Sequence, residues 1–232
     1  MSSITPRARR AALLFDLDGT LVQTEPLHFA AFNVLLEPFG RSIDEELFTL
    51  HISGQANPAI MGFLFPELGL DDHRRLADEK ETAFRRLAKA GVPATRGAAE
   101  LIAWAHAQGL SVGLVTNAPR TNAEMMIEVL GLADRLDIVV IGDELPRGKP
   151  YPDPYLAALD GLGIEAGDAI VIEDSLSGIA AARAAGIDVI GLTTALTPAV
   201  LTANGAVLTA PDLADPQLLE FLARRFATAP TS

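Results

Sequence analysis

The sequence predicts an α/β protein: a parallel sheet wound by helices on both faces and interrupted after its first strand by an all-helical insertion. Three observations lead there. Short apolar runs alternate with helix-periodic segments over most of the 232 residues, the pattern of successive right-handed βαβ units. The stretch 22–93 breaks that alternation, with helical periodicity and mixed charge but no convincing strand. Acidic or hydroxyl residues stand where several apolar runs end, and ligands of open parallel sheets sit at the carboxyl ends of the strands.

Residues 11–17 (AALLFDL) read as the buried first strand. Helices are expected over 25–36, 43–50, 56–64 and 71–89, the body of the insertion. Pro93 and Gly97 punctuate the return to the α/β fold. A helix over 97–108 stops before Gly109, and 110–116 follows as a strand. Helix 121–130, strand 137–141, helix 152–160, strand 169–173, helix 177–185 and strand 188–192 continue the alternation, and a terminal strand and helix close it. The expected division is an α/β domain of 1–21 and 94–232 and a helical domain of 22–93.

Composition narrows the function classes. Apolar residues make up 49% and charged residues 21%, a globular balance rather than a disordered one. The 18 basic against 30 acidic residues give a net charge of −12, which argues against nucleic-acid binding. Arg7, Arg9 and Arg10 are too few to reverse that and read as a solvated leader. Without cysteine there is no disulfide, thiolate metal site or Cys nucleophile, and four scattered His argue against structural zinc. The run Ala11–Phe15 is stopped by Asp16, too short for a signal-peptide core. No apolar stretch approaches the ~20 residues of a membrane span, so a cytoplasmic protein, monomeric and without membrane partners, is expected.

Four segments carry chemistry. Asp16-Leu17-Asp18-Gly19-Thr20 puts two carboxylates, two residues apart, at a strand end and on one side. Like charges that close call for a cation or a shared proton. They suit a nucleophile beside a general acid and base, although an ordinary Asp-Gly turn has the same letters. Thr116-Asn117 ends the second strand as a small anion cradle or a helix cap. Lys149, between Gly148 and Pro150, is a constrained point charge or a loop lysine. Glu173-Asp174 ends the fourth strand as ligands for a hard cation such as Mg²⁺ or as an acidic helix start. All four occur in one order at strand ends that a parallel sheet gathers on one edge, and that conjunction favours the chemical readings.

Together DLDGT, VTN, GKP and VIEDS resemble the four motifs of the haloacid dehalogenase superfamily of phosphohydrolases. The insertion resembles the helical cap of the branch that includes β-phosphoglucomutases, phosphoglycolate phosphatases and sugar-phosphate phosphatases, and Thr24-Glu25-Pro26-Leu27-His28 resembles the hinge into it. The resemblance implies a doubly wound, Rossmann-like core with an inserted α-helical cap. It implies that Asp16 attacks phosphorus to form an aspartyl-phosphate. Asp18 would protonate the leaving alcohol and later activate water. It also implies Mg²⁺ on the Asp16 carboxylate, the Asp18 carbonyl and Asp174, with Glu173 bound directly or through water. Thr116, the Asn117 N–H and Lys149 would bind the phosphoryl oxygens of a small phosphorylated metabolite.

The cap side offers His28, Gly54, Gln55, Asn57 and Lys80 as candidate substrate contacts, with Arg120 at the start of a body helix. A mutase of this branch has an Arg where Asn57 stands and a Lys where Pro119 stands, so simple hydrolysis is preferred. His28 and Lys80 resemble mutase cap residues and keep that alternative open. A dehalogenase would leave Asp18 and the second acid pair without a task. A phospho-accepting switch would lack Asp18 and the cap.

Overall fold

The computed structural model of the chain describes residues 11–53, 55 and 57–227. Six parallel strands form one sheet: β1 (Ala12–Phe15), β2 (Ser111–Thr116), β3 (Ile138–Ile141), β4 (Ala169–Glu173), β5 (Asp188–Leu192) and β6 (Leu208–Ala210). Their order is β3-β2-β1-β4-β5-β6. The chain therefore leaves β1 in one direction through β2 and β3, then returns to its other side with β4. Such a reversal opens a crevice at the carboxyl ends of the two central strands.

The apolar runs lack polar alternation because both faces of the sheet are covered. Leu13 and Phe15 enter one core with α5 (Ala98–Ala107), α6 (Arg120–Val129) and α10 (Pro216–Arg225). Ala12 and Leu14 enter the opposite core with α7 (Asp153–Leu162), α8 (Leu176–Ala184) and α9 (Pro198–Ala203). This is the period of two that a strand imposes.

β1 is shorter than the apolar run suggests. Asp16 still donates to Ile172 O at 3.0 Å, but the N–H groups of Thr20, Leu21 and Val22 all turn back on Leu17 O. That turn carries Asp18 away from the sheet. α9 has no counterpart in the expected element list. It is six residues long, started by Thr197 accepting from Val200 N–H, and too short to show a helical period.

The described residues of 22–93 hold four α-helices, α1 (Glu25–Leu36), α2 (Glu45–His51), α3 (Asn57–Leu64) and α4 (Leu70–Ala88), and a 3-10 turn, Glu37–Phe39. Phe32, Leu36, Met61, Leu64, Phe65 and Leu76 give them a core of their own. The buried positions of α4 are Leu76, Lys80, Glu81, Ala83, Phe84 and Ala88. Two charged residues thus sit on an otherwise apolar stripe, and Ala83, Phe84 and Ala88 pack into the core of the α/β body. Among the described residues no helix is long and apolar enough to cross a membrane.

Candidate functional site

Sheet register assembles the site. Phe15 pairs with Leu114 on one side and Ile172 on the other, so the residues that follow each strand emerge together. Asp16, Glu173 and Asp174 are all buried, and their carboxylate oxygens lie within 4.8 Å of one another.

Among the described residues, one buried cation faces these three acids. Lys149 Nζ donates to Asp16 Oδ1 at 2.7 Å, Glu173 Oε1 at 2.6 Å and Val115 O at 2.8 Å. An ammonium has three donors, and here the protein takes all three. Burial alone would lower the Lys149 pKa, but the charges of Asp16 and Glu173 push it well above the ordinary lysine range. Burial and the Glu173 charge raise Asp16 to about 7 despite Lys149. Burial, then Glu173 and Asp16, hold Asp174 well above the usual carboxylate range.

Glu173 is saturated. Its Oε1 accepts from Lys149 and from Tyr155 Oη at 3.3 Å. Its Oε2 accepts from Asp174 N–H and Ser175 N–H, each at 3.0 Å, and from Ser175 Oγ at 2.9 Å. Asp174 is much less engaged: Thr20 and Thr194 hydroxyls approach it only at 3.4 and 3.3 Å. The space beside it exists because residue 19 is glycine, with φ 76°, where a Cβ would stand 1.9 Å from Asp174 Oδ2. A compact all-oxygen donor set with more acid than base, and one acid held only by long hydroxyl contacts, fits a hard divalent cation. Asp16 and Asp174 have oxygens to offer it; Glu173 has its own committed to holding Lys149 and the start of α8.

The loops around β2 fix Lys149. Asn117 Oδ1 accepts from Lys149 N–H and its Nδ2 donates to Lys149 O, each at 3.0 Å. A Cβ on Gly142 would stand 2.1 Å from that Oδ1, so glycine is what lets the clamp close. Thr116 Oγ1 accepts from Ala118 N–H at 2.9 Å, which leaves its hydroxyl proton free to be donated elsewhere.

Asp18 faces the helical insertion. Thr24 Oγ1 donates to its Oδ1 at 2.6 Å, and His28 Nε2 stands 3.7 Å from the same oxygen. Burial opposes its ionisation, but the His28 ring, the Thr24 hydroxyl and the Lys80 charge outweigh burial and lower its pKa. Lys80 Nζ donates to His28 Nδ1 at 3.1 Å. An ammonium has only donors, so that contact puts the ring proton on Nε2, toward Asp18. His28 also stacks on Phe84, with centroids 4.1 Å apart.

Of the remaining candidates, Asn57 donates to Glu81 Oε1 at 2.9 Å, and Gln55 is exposed. Gly54 lies outside the described residues. Arg120 is 47% exposed and engaged by Glu144 and Glu124 rather than by the acid cluster. Thr24, Tyr155, Ser175 and Thr194 support the site without having been singled out. Thr24, inside the hinge-like segment, and Ser175, the last residue of VIEDS, carried a sequence signal; Tyr155 and Thr194 did not.

Comparisons with known proteins agree with this layout. The model of the haloacid dehalogenase-like hydrolase family matches residues 13–192. The chain is 32% identical over 209 residues to a phosphorylated carbohydrates phosphatase of Thermotoga maritima, covering 87% of this chain and 94% of the relative. It is 34% identical over 214 residues to a phosphoglycolate phosphatase of Rhodospirillum rubrum, covering 88% of each. A crystal structure of CbbY from Rhodobacter sphaeroides in complex with phosphate superposes with a TM-score of 0.79 at 27% identity, covering 89% of this chain and 96% of that one.

Proposed function

The chain belongs to the haloacid dehalogenase-like hydrolases and is a phosphoric monoester hydrolase, and we propose that it cleaves a small phosphorylated metabolite through an aspartyl-phosphate on Asp16. The observation that carries this reading is the juxtaposition at one sheet edge of the buried Asp16, its partner Lys149 at 2.7 Å, and the acids Glu173 and Asp174. Asp18, two residues on, meets Thr24 and His28 of the insertion. The names of the relatives above, one acting on phosphorylated carbohydrates and one on phosphoglycolate, support a small phosphate monoester as substrate.

In this reading an Asp16 oxygen attacks phosphorus while the bond to the ester oxygen breaks on the opposite side. Asp18 gives its proton to the departing alkoxide. It then takes a proton from water, whose oxygen attacks the phosphorus and releases phosphate and Asp16. Thr116 has a hydroxyl proton to donate to a phosphoryl oxygen. Lys149 holds Asp16 in place and adds positive charge where the transition state gathers negative charge. Asp16, Asp174 and the Asp18 carbonyl would hold Mg²⁺, which when bound supplies further positive charge against the equatorial oxygens. In the resting site Asp18 is held ionised by its donors; an arriving phosphate dianion raises its pKa and favours the protonated form the first step needs.

Water rather than a second phosphate ester is the acceptor in this proposal, because Asn57 and Pro119 stand where the resembling mutases have cations. The insertion, 22–93, would act as a lid over the strand ends, excluding water during the first step. The net charge of −12 supports a small-molecule partner over nucleic acid.

The test is phosphate release from a panel of sugar phosphates, phosphoglycolate and nucleotides, with Mg²⁺ and with EDTA. β-Glucose 1-phosphate is included, with glucose 6-phosphate read separately. Release that needs Mg²⁺ and disappears in a folded Asp16→Asn variant is expected. Turnover that survives Asp16→Asn, or glucose 6-phosphate formed without free phosphate, would refute the proposal.

A further inference from the structure

The acid–base chain that starts at Asp18 does not end at Lys80. Lys80 Nζ, 3% exposed as a residue, donates to Glu81 Oε1 at 2.7 Å. Glu81, also buried, accepts on the same oxygen from Asn57 Nδ2 at 2.9 Å and on the other from Asn122 Nδ2 at 2.6 Å. These donors come from α3, α4 and α6, so a single carboxylate ties the insertion to the body. Asn122 is oriented from behind: Arg85 donates to its Oδ1 at 3.0 Å, which turns the amide N–H₂ toward Glu81.

The charge consequence is specific. A lysine buried beside the leaving-group side of Asp18 would ordinarily be a receptor for a second anion on the substrate. Here it is paired at 2.7 Å with the carboxylate of its own neighbour in sequence, which offsets its charge toward a ligand even though Asp18 still feels it. The other cations of the region are engaged too. Arg85 donates to the neutral Asn122, Thr121 and Thr82, which fix its direction without offsetting its charge. Arg120 is held by Glu144 and Glu124. Lys149 is held by Asp16 and Glu173. The field of Glu81 also reaches Asp143, in the turn after β3, where it adds to the effect of burial in opposing ionisation. Lys80 and Glu81 thus form a pair without net charge, set between the His28 ring on one side and the amides of Asn57 and Asn122 on the other.

We infer that Glu81 is a specificity-determining residue: by cancelling Lys80 it makes this enzyme select phosphate monoesters of neutral polyhydroxy compounds over esters that carry a second anion, whether carboxylate or phosphate. The inference rests on the phosphatase reading above and deepens it. Neutral hydroxyls meet amides and a paired carboxylate without leaving any charge unmatched. A second anion would have to be desolvated against Glu81, and juxtaposed like charges disfavour a wrong partner strongly.

The experiment compares kcat/KM for matched pairs: a hexose 6-phosphate against the same hexose 1,6-bisphosphate, and glycerol 3-phosphate against phosphoglycolate. Wild type and Glu81→Gln are both measured, with p-nitrophenyl phosphate as a general reporter and circular dichroism as the check on folding. Glutamine keeps one acceptor oxygen for Lys80 and Asn57, leaves Asn122 Nδ2 without its acceptor, and removes the charge, so Lys80 becomes an unpaired cation. The wild type is expected to prefer the singly anionic member of each pair. Glu81→Gln is expected to shift both ratios toward the second anion by about tenfold or more. A wild type that prefers the bisphosphate or phosphoglycolate overturns the inference, as does a folded Glu81→Gln with unmoved ratios. Should that variant not fold, the wild-type ratios decide alone. Absence of Mg²⁺-dependent release from every ester, p-nitrophenyl phosphate included, would instead strike the phosphatase reading beneath it.

Discussion

Gly178 offers a sharp test of how the site is held. It lies in the first turn of α8, and a Cβ added there would stand 1.6 Å from Glu173 Oε1 and 1.9 Å from its Cδ. Helix propensity alone favours alanine over glycine by about 1 kcal/mol. The atom in the way, however, is not the free end of a surface side chain. Glu173 is fully buried and accepts from Lys149, Tyr155, Ser175 Oγ and two backbone N–H groups. Carbon and oxygen need about 3.4 Å or more, so the carboxylate must shift by nearly 2 Å, further than those bonds can stretch. Losing a hydrogen bond to a charged group costs about 1.5–3 kcal/mol and stranding a buried donor about 1–3. Partly offset by propensity, Gly178→Ala should destabilise the protein by about 2–4 kcal/mol. For a chain of this size that lowers Tm by about 4–16 °C. Because Glu173 also positions Lys149, Mg²⁺-dependent phosphate release should fall by more than about tenfold, the effect of a lost charge-assisted contact. Urea denaturation and a phosphate-release assay on the same preparation make the measurement. An alanine variant at least as stable as wild type, with turnover unchanged, would refute the claim that this contact sets the site.

Three other outcomes follow from the same geometry. Lys149→Met removes the one cation among three buried acids, so in EDTA it should lose about 3–5 kcal/mol of stability and turn over only at background; denaturation with and without Mg²⁺ checks it. Asp16, held at about 7 in the metal-free protein, keeps its proton far above the ordinary carboxylate value of 3.8. Its contribution to metal-free stability is therefore complete below about pH 4 and lost as pH rises through about 7, while Mg²⁺ competes with that proton; the rise in Tm given by Mg²⁺ should be larger at about pH 8 than at about pH 6. Asp18→Ala should lower kcat by ~10²–10⁴, the worth of general acid–base assistance, with Tm little changed, and near-wild-type turnover would count against its role.

The parallel α/β sheet was legible because a doubly covered strand needs an apolar interior: β1 is apolar throughout, and β2 and β4 carry polar residues only at their ends. Their neighbourhood followed from parallel register, which puts Asp16, Thr116 and Glu173 at one edge whatever the intervening loops do. What could not be read was how each acid is used. Nothing in Val171-Ile172-Glu173-Asp174-Ser175 tells a carboxylate that meets a cation from one whose oxygens are filled by the start of a helix. Glu81 was invisible for a related reason. It sits in a charged helical segment whose sequence reads as a solvated face, and its partners Asn57 and Asn122 are 24 and 41 residues away. Arg120 resembled a substrate contact only because Glu144, its partner across 24 residues, comes from a different loop.

The two halves of the cleft carry opposite charge logic. At the sheet edge, Asp16, Glu173 and Asp174 face a single Lys149. If all are ionised, two negative charges stay unmatched in a buried place, which a protein tolerates only by holding protons or by admitting a cation. In the insertion, Lys80 and Glu81 form a pair with no remainder. On the proposed reading, attraction for the phosphoryl group belongs to the body, through the cation that its acids would hold. The insertion contributes shape, amides and the Asp18–His28 contact, none of which demands charge from the leaving group. On the same proposed reading, one hydrolytic edge serves esters of different alcohols and the choice among them falls to α3, α4 and the start of α6.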